Sequence, residues 1–172
     1  MKFAVSSYSF LQYISAGKMT QLDAVKQAAD MGFDGIEFTD LISSKASLDE
    51  QLEYAKIIKN QANICKIDVV AYLVGADLFR GGEAEVGRLC GQLRVASALG
   101  APLMRHDVCY SEKQGDKTVS FERMLPVIAE NARTVTEYAS TLGIRTASEN
   151  HGFVAQDSDR VEKLYNTVAH DN

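Results

Sequence analysis

The hydrophobic period of this chain alternates between strand-like and helical five times, and that alternation limits the folds open to it. Phe3 to Ser7 reads as a short buried strand. Thr20 then caps a helix with Leu22, Val25, Ala28 and Ala29 on one face, stopped by Gly32. Gly35-Ile36-Glu37-Phe38 reads as a second strand. Ser47 and Glu50 have capping-box spacing, and Leu48, Leu52, Ala55, Ile58 and Ala62 follow at helical intervals. Ile67 to Val74 is a nearly unbroken apolar run, as in a strand covered on both faces. A third helix carries Val86, Leu89, Leu93, Ala96 and Leu99, and Pro102 to His106 reads as the fourth strand. The longest helix starts at Ser120 and runs to Leu142, with Pro126 either kinking its early turns or marking its true start. Ile144 to Ser148 is the fifth strand. Ser158 or Asp157 caps a last helix bearing Val161, Leu164, Tyr165 and Val168.

Strict alternation implies right-handed crossovers and a parallel sheet, in an α/β domain spanning 1-172. Two architectures satisfy it. One is an open doubly wound sheet. The other is an incomplete TIM barrel holding about five of the eight (β/α) units. The first lacks its usual phosphate loop, since Ser7-Tyr8-Ser9-Phe10 follows the first strand and no G-x-G-x-x-G occurs. The strand-to-helix links are long (Tyr8–Met19, Thr39–Ala46, Gly75–Gly81, Asp107–Val119), which gathers loops on the face where barrels build sites. A full barrel takes about 250 residues. Val168 to Asn172 reads as a return from a helix toward a further strand, so about three units are expected to be missing from these 172 residues.

Charge and composition narrow the partners. A formal charge of −5 offers no counter-charge for phosphate backbones, so no nucleic acid is expected. No apolar run approaches the length of a membrane span. Ser6, Ser7, Ser9 and Gln12 break the only signal-like apolar stretch. Cys65, Cys90 and Cys109 lie far apart without a C-x-x-C, which fits reduced thiols and a cytoplasmic protein.

Candidate chemistry collects at the expected carboxyl ends of the strands. Ser148-Glu149-Asn150-His151-Gly152 puts a carboxylate, an amide and an imidazole in sequence, and period two sends Glu149 and His151 to one side. Glu149 there suits a divalent-cation ligand or a proton carrier beside a carbonyl; the plainer alternative is a loop cap. Glu37 ends the second strand, where an ion pair with Arg105 or a neighbouring lysine is the structural alternative. Arg105-His106-Asp107 offers a cation, a switchable imidazole and an acid. His106 is read as a substrate or metal contact, Asp107 as a loop or cap residue, and His170 as solvated. Phe10, Tyr13, Leu73, Phe79 and Tyr110 are either loop packing or a wall for a sugar's apolar face. The run from Glu112 to Lys117 reads as a solvated mobile loop.

Ser7-Tyr8-Ser9-Phe10, Gly32-Phe33-Asp34-Gly35-Ile36-Glu37 and Tyr138 through Gly143 leading into Glu149-Asn150-His151-Gly152 resemble the xylose isomerase-like, or sugar phosphate isomerase/epimerase, family of TIM barrels. That family includes the endonuclease IV branch. The resemblance implies isomerisation or epimerisation of a sugar, sugar phosphate or polyol by metal-assisted proton or hydride transfer. It implies Glu149 as catalytic metal ligand. It also implies a substrate contact near His106, with Glu37 lining the same mouth; His151, Arg105 and Tyr8 are expected as further substrate contacts. A divalent metal (Mn, Mg, Zn or Co) is expected in the complete enzyme, whose other ligands come from strands six to eight. The 172-residue chain is therefore expected to be inactive alone, with none of that metal bound. The alternatives are a non-catalytic half-barrel, or a subunit completed by a like or complementing chain through its open edge. An endonuclease or lyase activity is less favoured.

Overall fold

The computed structural model describes residues 1–41, 46–115 and 117–172. The expected loop Thr39–Ala46 and the expected charge run therefore fall partly outside the described residues. The elements follow the alternation: β1 (Ala4–Ser6), α1 (Leu11–Ser15), α2 (Gln21–Asp30), β2 (Gly35–Thr39), α3 (Leu48–Cys65), β3 (Asp68–Val74), α4 (Gly82–Leu99), β4 (Leu103–His106), β5 (Lys113–Gln114), β6 (Lys117–Thr118), α5 (Phe121–Thr141), β7 (Arg145–Ser148) and α6 (Ser158–Val168). The main sheet has the order β1-β2-β3-β4-β7. Each strand neighbours the next in the chain, apart from the separate β5–β6 hairpin. A doubly wound sheet reverses direction at a switch point, so this sequential order excludes that alternative and is the order of barrel units.

The contacts divide the chain into two compact units: Met1–Leu73 with Arg94–Met104, and Val74–Leu93 with Arg105–Asn172. In the first unit, β1 pairs in parallel with β2, and β2 with β3. The buried Ala24, Val25 and Ala28 of α2 and Ala55, Ile58 and Ala62 of α3 supply the helical apolar faces, and Ile36 and Phe38 are fully buried on β2. Both capping boxes form. Thr20 accepts from the Asp23 backbone N–H while the Asp23 carboxylate accepts from Thr20, and Ser47 and Glu50 repeat the exchange. These bonds to the charged form hold both carboxyls below their ordinary range.

Three expectations for this unit change. Strand β1 is an edge with Ala4 exposed and Val5 and Ser6 half-buried, because only β2 pairs with it. Strand β3 is fully covered only from Ala71 to Val74. The segment after β1 is not an open loop: Ser7–Phe10 is a 3₁₀ turn running into α1. Ser7 fixes it, since its buried hydroxyl accepts the Thr39 backbone N–H at 3.0 Å.

In the second unit, α5 buries Phe121, Met124, Ile128, Ala129, Ala132, Val135 and Ala139 as one stripe. The helix is continuous through Pro126, so the proline does not mark its start. Asp157, not Ser158, occupies the cap position of α6. Within the charge run, Lys113–Gln114 pairs antiparallel with Lys117–Thr118, Lys113 lying opposite Thr118. Glu112 anchors it: its carboxylate accepts from Arg160 at 2.7 Å and its carbonyl accepts from the Val119 N–H at 2.7 Å. Beyond α6 the chain turns at Ala169 in the left-handed region and comes back beside β7. There Asn172 accepts the Thr146 N–H at 3.3 Å and donates from its side-chain amide to Ile144 at 2.8 Å. His170 is half-buried, not solvated, and its Nδ1 accepts from the Asn172 N–H at 3.0 Å.

Candidate functional site

The geometry of the second unit starts from one backbone bond: the Glu149 N–H donates to the His106 carbonyl at 3.1 Å. This locks the end of β7 to the end of β4 and sets which side chains meet. Successive residues on a strand face opposite ways. On β4, Met104 and His106 are buried while Leu103 and Arg105 are half-exposed. Arg105 and Asp107 therefore share one face, and Glu149 and His151 occupy the matching positions on the neighbouring segment.

The partners are paired in that register. The Arg105 guanidinium forms an ion pair with the Glu149 carboxylate. Two residues on, the His151 Nδ1 lies 3.1 Å from an Asp107 carboxylate oxygen. Asp107 is only 6% exposed, which gives this carboxylate a fixed position. The exposed His151 ring is also held by Tyr110, whose ring meets it edge-on at 5.8 Å between centroids. Ligand atoms of Asp107, Glu149 and His151 lie within 4.8 Å of one another, the only such group of three or more among the described residues.

Glycines let the loops close on this cluster. Gly152 has φ +73°, and a Cβ there would sit 3.2 Å from the Cys109 carbonyl and from the Tyr110 Cα. Only glycine accepts both the backbone angle and the approach. Beside Gly75, the Tyr110 hydroxyl would lie 2.8 Å from an added Cβ.

A second polar group braces the loop after β3. Glu85 accepts the Asp77 N–H at 2.9 Å and pairs with Arg88, whose guanidinium also donates to the Gly75 carbonyl. Asp77 pairs with Arg80. Burial raises the Asp77 and Glu85 carboxyls, but the bonds to Arg80 and Arg88 outweigh it and hold both below the ordinary range. Burial pushes the Cys109 thiol up to about 11, which makes it a poor nucleophile.

His106 goes the other way from the cluster. It is fully buried, and its Nδ1 bonds the Asp107 carbonyl at 2.8 Å. It lines a cavity of about 320 Å³ with Ala132 and Thr136 of α5 and Val161 and Leu164 of α6. Burial disfavours its charged form and lowers its pKa. Glu37 and Tyr8 belong to the first unit. Glu37 is half-buried at a bulge, where the register of β2 against β3 slips between Ile36 and Glu37. Tyr8 is 65% exposed in the 3₁₀ turn. Among the expected aromatic residues Phe10 is buried, Phe79 half-buried, and Tyr13 and Tyr110 exposed.

The structure thus brings together Glu149, His151 and Arg105 and adds Asp107, whose place in sequence suggests only a loop or cap residue. The signal for Asp107 was present. Period two, already applied to Glu149 and His151, also pairs Asp107 with Arg105. The expected alternative partner of Arg105, Glu37, is not the one it takes.

No family model and no curated protein matches this sequence. Solved structures do. D-psicose 3-epimerase with D-tagatose from Clostridium cellulolyticum H10 superposes with a TM-score of 0.76 at 15% identity, over 99% of this chain and 61% of that one. The probable 3-DHS dehydratase AsbF of Bacillus anthracis, involved in petrobactin synthesis, gives 0.74 at 15% identity, over 100% and 61%. The IolI protein with a bound zinc atom gives 0.72 at 18% identity, over 100% and 60%. The chain spans about three fifths of the length of these structures. It has the fold of part of a xylose isomerase-like TIM barrel. No helix among the described residues is long and apolar enough to cross a membrane.

Proposed function

We propose that this chain serves a sugar or sugar phosphate isomerase or epimerase that works with a divalent cation held by Asp107, Glu149 and His151. The observation that carries the reading is the convergence of these three ligand atoms within 4.8 Å at the carboxyl ends of adjacent strands. The likeness in fold to an epimerase and to a zinc-bound protein supports it.

The donor set suits such a cation. Two carboxylates and an imidazole supply hard oxygens and a borderline nitrogen, a combination used for Zn, Mn and Co. Buried Asp107 brings a rigid oxygen and Glu149 a half-exposed one. A divalent cation there supplies Lewis acidity, which lowers the cost of removing a proton from a carbon beside a carbonyl. The protein's own groups do the rest. Asp107 fixes the orientation of His151, and Tyr110 braces its ring. A carboxylate of the Glu149 type holds or moves a proton at the substrate carbon. In the absence of the cation, Arg105 balances the Glu149 charge.

The test is metal content after dialysis against Mn²⁺, Co²⁺, Zn²⁺ and Mg²⁺, with an assay of ketose epimerisation and aldose–ketose exchange. Because three ligand atoms converge within these residues, the expected result is about one retained ion per chain, in place of the metal-free chain expected from sequence, with the ion and any turnover lost in Glu149→Gln. Retention of no ion by the native chain overturns the reading.

A second reading rests on the surface of the first unit. Met1, Phe3, Tyr8, Leu11 and Tyr13 are all exposed on or just beyond the edge strand β1. A subunit that is completed by a further polypeptide would cover them. Light scattering decides this, since a well-behaved monomer at high concentration counts against it.

A further inference from the structure

The Arg105–Glu149 pair places a fixed cation on a group that the proposed metal site needs. We infer that Arg105 is a built-in competitor for Glu149, displaced when a divalent cation binds and then free to hold an oxyanion of the substrate. The inference rests on the metal reading and extends it to a substrate class: sugars bearing a phosphate or carboxylate.

The geometry supports each half. Glu149 is at once the ion-pair partner of Arg105 and a member of the only three-ligand group among the described residues. One carboxylate engaged by a guanidinium has fewer lone pairs to offer a metal, so loading must weaken or break the pair. The side chains of Arg105 and Glu149 are 29% and 34% exposed, enough freedom for the guanidinium to swing away. Asp107 does not take it back, because its carboxylate already faces His151.

Charge then changes sign at the cluster. Two carboxylates and one guanidinium leave it with one net negative charge while the imidazole is neutral. A divalent cation leaves one net positive charge, partly desolvated. A half-buried guanidinium without a counter-ion is unfavourable, and its planar fork matches carboxylate and phosphate oxygens. Three other arginines of this unit have carboxylate partners of their own: Arg80 in Asp77, Arg88 in Glu85 and Arg160 in Glu112. Arg105 is the one that metal loading releases. Cation and oxyanion binding are therefore positively coupled, each lowering the cost of the other.

The test is a Co²⁺ titration followed by visible absorption, on the native chain, Arg105→Gln, Arg105→Lys and Glu149→Gln, in sodium chloride and in sodium sulfate at matched ionic strength. Arg105→Gln is expected to bind Co²⁺ roughly two- to fivefold more tightly in chloride, the scale of a partly exposed ion pair. Arg105→Lys, which keeps the charge, is expected to bind like the native chain. Sulfate is expected to tighten Co²⁺ binding by the native chain and not by Arg105→Gln. Equal affinity of the native chain and Arg105→Gln, with loss in Glu149→Gln, overturns the inference and leaves the metal reading standing. A sulfate effect of the same size in both also overturns it. Absence of Co²⁺ binding in every protein removes both. If Arg105→Gln fails to fold, the sulfate response of the native chain decides, and no response overturns the inference.

Discussion

The Asp107 carboxylate and the His151 imidazole, 44 positions apart in sequence, lie 3.1 Å from each other. A buried acid that orients a solvent-facing imidazole behaves as a support as well as a ligand. Asp107→Asn keeps the shape and removes the charge. It is expected to lower divalent-cation affinity about 10- to 100-fold, as measured by Co²⁺ titration, with little change in far-UV circular dichroism.

Gly152 closes the loop that carries His151. With φ at +73° and Cys109 and Tyr110 backbone atoms 3.2 Å from an added Cβ, Gly152→Ala meets strain and crowding together. The expected cost is about 1–3 kcal/mol in urea denaturation. Cation affinity should fall as well, because the adjacent imidazole moves.

Acid should destabilise the loop after β3. The Asp77 and Glu85 carboxyls are held below their ordinary values of 3.8 and 4.5 in the fold. The unfolded chain then binds more protons than the native one between the depressed and ordinary values, so stability falls as pH drops through that window. The stabilisation is complete above pH 4.5 and is lost progressively below it. Thermal melts of Glu85→Gln should start lower at neutral pH and change less from pH 5 downward than those of the native chain.

Thr20 is the simplest check on the first unit. Its side chain accepts the Asp23 N–H at 3.1 Å in a complete capping box. Thr20→Ala is expected to cost about 1 kcal/mol, read as a shift in the urea midpoint without a change in slope.

Much of this was legible in the residues because caps and periods are local. Thr20, Ser47, Gly32 and Gly143 mark helix ends within a turn of where they fall, since each acts on backbone groups a few positions away. What escaped depends on distant partners. The pairing of Lys113–Gln114 with Lys117–Thr118 has no apolar alternation to announce it, and the neighbouring Glu112 is held by Arg160, 48 positions away. The exposure of β1 follows from its single neighbour in the sheet. At the site, Glu149 and His151 could be put on one side by parity alone. Their partners could not, because the choice between Glu37 and Glu149 for Arg105 needs the relative register of two strands.

The bond from the Glu149 N–H to the His106 carbonyl has a consequence for folding. Sliding β7 by one position would present Ser148 and Asn150, a hydroxyl and an amide, where Glu149 and His151 now stand. Such a misaligned molecule would keep its helix content and melt cooperatively, yet ignore every cation offered to it. On the proposed metal site, spectroscopic foldedness is therefore a poor certificate of competence, and ion uptake is the assay by which preparations should be judged.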